Sequence, residues 1–169
     1  MNVLDNYTVA DNLWPDELKI LIIDDEQDTL NLIRLCLEPA GFRIIRTTKP
    51  EEGLDLAYRE KPDLIVLDLM MPRIDGFELL RRIRRNPSLE YVPVIIVSAK
   101  TNRAEQLRML KLGHPELDKI DAYIGKPFNP ATLLRTVKQV LMLHKEFLVE
   151  KNSSREKTTW NVQDVMIYH

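Results

Sequence analysis

The chain has little of what would place it outside the ordinary globular proteins. A single cysteine, Cys36, excludes an intrachain disulfide and lacks the partners of a structural zinc site. No apolar run approaches the roughly 20 residues that a membrane-spanning helix needs. The N-terminus, Met1 to Asp5, lacks the basic start and the apolar core of a signal peptide. We therefore expect a cytoplasmic protein that does not insert into a membrane.

An excess of charge of one sign is also missing. The chain has 24 basic and 26 acidic residues and a net charge of −2, which gives no general attraction to nucleic acid or an anionic membrane. The one strong basic cluster, Arg81 to Arg85, has no interleaved aromatic residues and belongs to no recognisable reading motif. We interpret this cluster as the solvated face of a helix, and we expect no direct binding to nucleic acid.

What the chain does contain is a regular alternation of strand and helix patterns. With 169 residues, of which 44% are hydrophobic, it has room for one domain of ordinary size. Predicted strands cover residues 20–23, 42–46, 64–67, 92–97 and 122–125. Predicted helices follow at about 30–40, 50–60, 76–85, 102–112 and from 131 onward, the second opened by a capping box at Thr48 and Glu51. Five such units in a row predict an α/β fold, with a parallel sheet and helices on both faces.

Aspartates follow two of the apolar runs. Asp68 comes directly after Leu64–Leu67, and Asp24 and Asp25 come directly after Ile20–Ile23. Short apolar runs of this kind are typical of strands buried on both faces, and ligands bind at the carboxyl ends of such strands. Three carboxylates at one edge repel each other and favour a divalent cation; oxygen ligands without His or Cys suit Mg²⁺. Taken singly, Asp24, Asp25 or the following Glu26 could instead be the N-cap of the next helix.

Four motifs at successive strand ends resemble the response-regulator receiver domain. They are Asp24-Asp25-Glu26, Asp68, Ser98-Ala99 and Lys126-Pro127-Phe128, and the surroundings of Asp68 match as well, at Pro62-Asp63 and Met71 to Gly76. The resemblance covers Lys19 to Leu143. It implies a doubly wound, flavodoxin-like fold with five parallel strands in the order 2-1-3-4-5. We expect a receiver domain over residues 18–145, an N-terminal extension over 1–17, and an extended last helix and tail over 146–169.

The resemblance also implies how a metal is held. We expect Asp25 and Asp68 to bind Mg²⁺ directly, the backbone carbonyl of Met70 to complete the protein ligands, and Asp24 to act partly through water.

Asp68 would then accept a phosphoryl group from a histidine kinase or a phosphotransfer protein. Lys126 would place an ammonium near one phosphoryl oxygen, and Ser98 would donate its hydroxyl to another. Taken alone, Ser98 could be a turn residue at a strand end and Lys126 a solvated lysine.

Phosphorylation is expected to act as a switch. In the family the hydroxyl residue, here Ser98, moves toward the phosphoryl group, and an aromatic residue of the fifth strand, here Tyr123, turns inward. The face formed by the fourth helix, fifth strand and fifth helix then selects an output protein, or a second copy in a phosphorylation-dependent dimer. The alternative for Tyr123 is a plain role in core packing.

Two positions are expected to tune loss of the phosphoryl group, Met70 and Lys100. Met70 cannot orient an attacking water, so we expect self-phosphorylation and slow autodephosphorylation rather than enzymatic turnover. One alternative is a Mg²⁺-dependent phosphohydrolase with an aspartyl-phosphate intermediate, although Met70 stands where such enzymes carry a second acid. Others are a receiver-like scaffold that is never phosphorylated, and a flavin-binding domain, whose phosphate the acids after the first strand would repel.

Two regions depart from the family pattern. Residues 114–121 form an insertion before the fifth strand, beside the expected output face. Both tryptophans, Trp14 and Trp160, lie in the flanking segments, which we interpret either as termini packed on the domain or as docking segments. The last helix is predicted to reach about residue 150, either to pair with another chain or to cover its own domain.

Overall fold

The computed structural model describes residues 17–72, 76–99 and 120–163, with the side chains of the last helix described as far as Lys151. Over these ranges the strands are β1 (Lys19–Ile23), β2 (Arg43–Thr47), β3 (Leu64–Leu67), β4 (Val94–Ser98) and β5 (Ala122–Gly125). The helices are α1 (Gln27–Leu37), α2 (Pro50–Glu60), α3 (Gly76–Arg85) and the C-terminal helix (Pro130–Gln163), and a short 3₁₀ helix covers Glu38–Ala40. The predicted helix at 102–112, Lys100 and most of the insertion lie outside the described residues.

One sheet organises the described part of the chain. All neighbouring strands are parallel and their order is β2-β1-β3-β4-β5, so the predicted fold class and strand order are confirmed. Every residue of β3 and β4 is buried, as their uninterrupted apolar sequences require.

Helices cover both faces of this sheet, as predicted. Ile20 and Ile22 of β1 pack on one side, in a core cluster with residues of α1 and the C-terminal helix. Leu21 and Ile23 point to the other side, in a cluster with residues of α2 and α3. Burial of each such side chain stabilises the fold by about 2 kcal/mol, so the sheet is held equally firmly from both faces.

Register fixes where the strands end. Ile23 of β1 lies beside Leu67 of β3, and the Asp68 N–H donates to the Ile23 carbonyl at 3.0 Å. The Lys126 N–H donates to the carbonyl of Ser98 at 2.9 Å, so β4 and β5 end at the same edge. Asp24, Asp68 and Lys126 are therefore delivered to one edge of the sheet.

Two of the predicted boundaries that differ from the structure have a clear physical reason. β4 begins at Val94 rather than Val92, because the Val92 N–H donates to the Leu89 carbonyl in a turn and Pro93 has no N–H to give a sheet. The predicted capping box at Thr48 is wrong. α2 begins after Lys49 without a side-chain cap, and the buried hydroxyl of Thr47 accepts the Lys49 N–H at 3.0 Å instead.

The prediction of a solvated basic face on α3 is wrong for one residue. Arg82 and Arg85 are exposed, but Arg84 is only 8% exposed. Its Nη1 donates to the Val92 carbonyl at 2.7 Å, because Arg84 lies one turn after the buried Leu80 and faces the turn that precedes β4. Arg84 is thus a structural link between α3 and β4.

The C-terminal helix is longer than predicted. It runs for 34 residues, about 50 Å at 1.5 Å per residue, and ends at Gln163 rather than near residue 150. No described helix is long and apolar enough to cross a membrane.

Gly76 offers a test of the loop that carries Asp68. A Cβ at position 76 would lie 2.5 Å from the Leu69 Cα and 2.7 Å from the Asp68 carbonyl oxygen, and backbone atoms cannot rotate away. We expect Gly76→Ala to lower the free energy of unfolding by about 2 kcal/mol in urea titrations.

Gly53→Ala is the matched control for this measurement. Its Cβ would meet only the side chain of Ile23, which can shift, and the gain in helix propensity of about 1 kcal/mol offsets the contact. Equal stability of the two variants would contradict the close approach of Gly76 to the loop.

Candidate functional site

Three carboxylates meet at the carboxyl edge of β1 and β3. Asp24, Asp25 and Asp68 each place one oxygen within 4.8 Å of the others. Asp24 is only 1% exposed and Asp68 only 4%, whereas Asp25 is half-buried. Because like charges at this distance repel and burial removes water from them, the cluster needs a compensating positive charge.

A shared local arrangement orients the two buried acids. The Oδ1 atom of Asp24 accepts the Glu26 N–H at 2.9 Å, and the Oδ1 atom of Asp68 accepts the Met70 N–H at 2.9 Å. Each bond reaches two residues along the chain, as short aspartate side chains commonly do after a strand. Both second oxygens, the Oδ2 atoms, are left free to bind at the centre of the site.

Lys126 occupies that centre. Its ammonium lies 2.8 Å from Asp24 Oδ2, 3.0 Å from Asp68 Oδ2 and 3.0 Å from Glu26 Oε2. Burial would lower the pKa of Lys126, but the hydrogen bonds to the three carboxylates outweigh burial and raise it above its ordinary value. Lys126 therefore remains a cation at every physiological pH, and the expectation of a solvated lysine is wrong.

Lys126 compensates the buried Asp24 only in part. Burial raises its pKa to about 6, against the opposing effects of Lys126 and of the hydrogen bond from Glu26, and the charge of Asp68 raises it further. For the exposed Glu26 the effect of Lys126 outweighs that of burial, and the hydrogen bond from Lys126 lowers the pKa of Glu26. One ammonium thus does not neutralise the buried part of the cluster.

The donor set fits a hard divalent cation. The clustered side-chain ligands are all carboxylate oxygens, and two of them are buried where a further positive charge is needed. Mg²⁺ prefers such oxygen ligands. Asp24, Asp25 and Asp68 are the side chains that would hold it, and the backbone of Met70 is already fixed against Asp68 through its N–H.

Ser98 lies beside this cluster with an unused hydroxyl. It is the last residue of β4 and is fully buried, and its Oγ has no hydrogen-bond partner among the residues that the structure describes. A buried hydroxyl without a partner costs about 1–3 kcal/mol, so its retention favours a ligand that supplies one.

Tyr123 lies on the neighbouring strand, opposite Ile96 of β4, and two residues before Gly125, which pairs with Ser98. Its ring packs against the core cluster on the α2–α3 side, and its hydroxyl oxygen is buried. The structure therefore brings Asp24, Asp25, Asp68, Ser98 and Lys126 to one edge of the sheet, with Tyr123 a short way down β5.

The N-cap alternative holds for Glu26 in position only. Glu26 is the N-cap residue of α1 but makes no side-chain cap hydrogen bond, and Asp24 accepts the Glu26 N–H instead. Beyond that position, sequence reasoning gave Glu26 no role in the site. Its carboxylate binds both Lys126 and the Thr29 hydroxyl. The run Asp24-Asp25-Glu26 indicated an acidic site, but it did not show which of the three side chains contact Lys126.

A parallel sheet with this lysine-bridged acidic pocket at the ends of β1, β3 and β5 defines a receiver-type α/β domain. The family model of the response regulator receiver domain matches residues 20–138, and the chain belongs to this family.

Curated relatives agree with the family assignment. The alkaline phosphatase synthesis transcriptional regulatory protein PhoP of Bacillus subtilis is 37% identical over 73% of this chain and 48% of its own length. The phosphate regulon transcriptional regulatory protein PhoB of Pseudomonas aeruginosa is 35% identical over 72% of this chain and 51% of its own length. The chain thus spans about half the length of these two regulators. A 14.6 kDa protein of Leptolyngbya boryana is 36% identical and is covered over 89% of its length.

Solved structures share the fold. The chemotaxis response regulator CheY4 of Vibrio cholerae superposes with a TM-score of 0.65 at 26% identity, over 74% of this chain and 99% of that one. A CheY-like receiver domain protein of Methanospirillum hungatei gives a TM-score of 0.66 at 27% identity, over 78% of this chain and 98% of that one.

The raised pKa of Asp24 predicts how stability depends on pH. In the metal-free protein the folded state holds a proton on Asp24 up to about pH 6, whereas the unfolded chain releases it near 3.8. The contribution of Asp24 to the free energy of unfolding therefore falls as the pH rises through this window. Asp24→Asn should be more stable than the natural protein at pH 8, and this advantage should vanish below the ordinary pKa.

Urea unfolding with EDTA at a series of pH values measures the effect. Glu26→Gln is the control, since the pKa of Glu26 is shifted in the opposite direction and its removal should give no gain at pH 8. A stability difference between Asp24→Asn and the natural protein that is constant with pH would contradict the assignment.

Proposed function

We propose that this receiver domain accepts a phosphoryl group on Asp68 from a histidine kinase or a phosphotransfer protein and signals by protein–protein contact. The observation that carries the proposal is the setting of the Asp68 carboxylate. One oxygen is fixed by the Met70 N–H, and the other contacts the ammonium of Lys126. The buried, unpartnered hydroxyl of Ser98 belongs to the last residue of β4, whose carbonyl accepts the Lys126 N–H.

The chain's own residues can divide the work of the transfer. A carboxylate oxygen of Asp68 attacks phosphorus, the bond from phosphorus to the donor breaks, and the leaving group keeps that electron pair. Lys126 balances charge on one phosphoryl oxygen, and the Ser98 hydroxyl can donate to another. Asp24, Asp25, Asp68 and the Met70 carbonyl would hold Mg²⁺, which would supply further positive charge for the phosphoryl oxygens.

The alternatives have less support. A phosphohydrolase needs a general acid near the nucleophile, and Met70, which is half exposed two residues after Asp68, has no proton to give. A scaffold that is never phosphorylated would have no use for two buried carboxylates and a buried hydroxyl that each cost stability. We therefore propose self-phosphorylation and slow autodephosphorylation without enzymatic turnover. We also propose that the protein acts in the cytoplasm.

Acetyl phosphate with Mg²⁺ tests the acceptor. We expect intact mass spectrometry to show one added phosphoryl group on the natural protein and none on Asp68→Asn. Asp25→Asn should fold but acquire the group much more slowly, since it removes a ligand and leaves the nucleophile. An adduct that persists in Asp68→Asn would overturn the assignment.

The same adduct, freed of acetyl phosphate, reports the role of Met70. We propose that Met70 and Lys100 tune hydrolysis, and we expect the phosphorylated state to last for minutes or longer because Met70 cannot orient a water. Decay within seconds would contradict this part of the proposal, and repeated turnover of acetyl phosphate would favour the hydrolase.

The switch is proposed to run through Ser98 and Tyr123. A dianionic phosphoryl group on Asp68 offers the buried Ser98 hydroxyl an acceptor, and Ser98 and Tyr123 lie on adjacent strands that are in register. Movement of Ser98 changes the space next to β5, so the population of Tyr123 conformers shifts with it. The output face would then include β5 and the C-terminal helix, for an output protein or for a phosphorylation-dependent dimer.

Hydrogen exchange tests the switch without a known partner. Phosphorylation should change amide protection in β5 and the C-terminal helix of the natural protein. Tyr123→Ala should still take up the phosphoryl group but lose that change. Tyr58→Ala, which removes an exposed tyrosine from α2, is the matched control and should respond like the natural protein. An unaltered exchange response in Tyr123→Ala would rule out Tyr123 as the switch residue.

A further inference from the structure

A groove lies at the opposite pole of the sheet from Asp68. It has a volume of about 490 Å³, and it lies where α3 ends, where β4 and β5 begin and where the C-terminal helix passes them. Its lining comes from these elements and from the turn before β4: Arg84, Glu90, Tyr91, Asp121, Val140, Leu143, His144 and Phe147.

Two charged side chains of the groove, Arg84 and Asp121, are already engaged with the protein. Arg84 donates to the Val92 carbonyl at 2.7 Å, and its Nη2 lies 3.6 Å from Asp121 Oδ2. The same Asp121 oxygen accepts the Val94 N–H at 2.7 Å. A small charged ligand would have to displace these contacts, so the groove is poorly suited to an ion or a phosphate.

The rim of the groove is apolar and exposed. Leu143 is 55% exposed, Tyr91 48% and Phe147 45%, and the rings of Tyr91 and Phe147 have centroids 6.3 Å apart. The ammonium of Lys151 lies 3.3 Å above the Tyr91 ring, which holds the far part of the C-terminal helix against this rim. Large exposed side chains clustered in this way are typical of a surface that another segment covers.

The N-terminal segment leaves the domain at this same pole. β1 begins at Lys19, and Leu18 packs against the core cluster that contains Val140 of the groove. The Lys19 N–H donates to Asp63 at 2.7 Å.

The length and the charge of the N-terminal segment are both compatible with binding to the groove. Trp14 precedes Lys19 by five residues, which span about 16 Å when extended, and three strand spacings from β1 to β5 amount to about 14 Å. Residues 1–17 contain four acids and no lysine or arginine. The groove end of α3 carries the exposed cations Arg82 and Arg85, and Lys151 adds a cation at the rim.

We propose that the N-terminal segment, residues 1–16, docks onto this groove and seats the indole of Trp14 against Tyr91, Leu143 and Phe147. The docked segment would join the turn before β4 to the C-terminal helix and so stabilise the extension of that helix. Because the groove lies at the other pole from Asp68, this proposal is independent of phosphorylation.

Tryptophan fluorescence of the full-length chain tests the docking. Trp160→Phe leaves Trp14 as the only tryptophan. We expect its emission to lie at shorter wavelength, and acrylamide to quench it less, than in the same protein unfolded in urea. Leu143→Asp in this background should shift the emission to longer wavelength and increase quenching. Leu35→Asp is the matched control, since it places the same acid at an exposed leucine of α1, and it should change neither.

Thermal stability provides the second measurement. Trp14→Ala should lower the Tm of the natural protein but not that of Tyr91→Ala, because the two residues share one contact. Tyr91→Ala also replaces Leu143→Asp if that variant fails to fold by circular dichroism. Three results would overturn the proposal: quenching of Trp14 in the folded protein as complete as in the unfolded one, protection of Trp14 that survives both groove variants, or additive losses of Tm. Protection that is lost on dilution would also overturn it, because the groove would then be occupied by a second copy of the chain.

Discussion

The contact of one ammonium with three carboxylates is the interaction on which the rest of the structure depends. Lys126 follows β5 and binds Asp24 and Glu26 after β1 and Asp68 after β3, so it joins strands that are not neighbours in the sheet. Two of these acids are buried and would be costly without it. The same contact leaves the cluster short of positive charge, since the pKa of Asp24 stays raised. The site is thus compensated in part and still has room for the further positive charge that the proposed function needs.

The backbone fixes the geometry of this contact. The register of β1 with β3 places Asp24 and Asp68 side by side, and one oxygen of each aspartate accepts the N–H two residues later. Only the second oxygen of each is then available to Lys126, to a metal or to phosphorus. The close approach of Gly76 to the backbone of Leu69 holds the loop that follows Asp68. Positioning of this kind is the main contribution a protein makes to phosphoryl transfer.

Most of the fold and of the candidate site could be predicted from the sequence for one physical reason. Buried parallel strands appear in a sequence as short apolar runs, and a charged residue directly after such a run indicates the edge of the sheet where ligands bind. Asp24, Asp68 and Lys126 are such residues. The misses concern side chains whose partners are set by tertiary packing. The burial of Arg84 depends on the turn before β4, and the choice of Thr47 over Thr48 depends on where β2 ends. Neither partner is visible in a local pattern, because both contacts join separate elements.

The two ends of β5 differ in the kind of contact that holds them. At its amino end Asp121 accepts the Val94 N–H and pairs with the buried Arg84, and these contacts involve no group of the acidic site. At its carboxyl end Lys126 binds carboxylates, with which a phosphoryl group on Asp68 would compete for the ammonium. β5 has only four residues, and Tyr123, the second of them, lies between these two ends. A strand held at one end by structural contacts and at the other by the acidic site restricts any rearrangement to the residues between them, which include the proposed switch residue Tyr123.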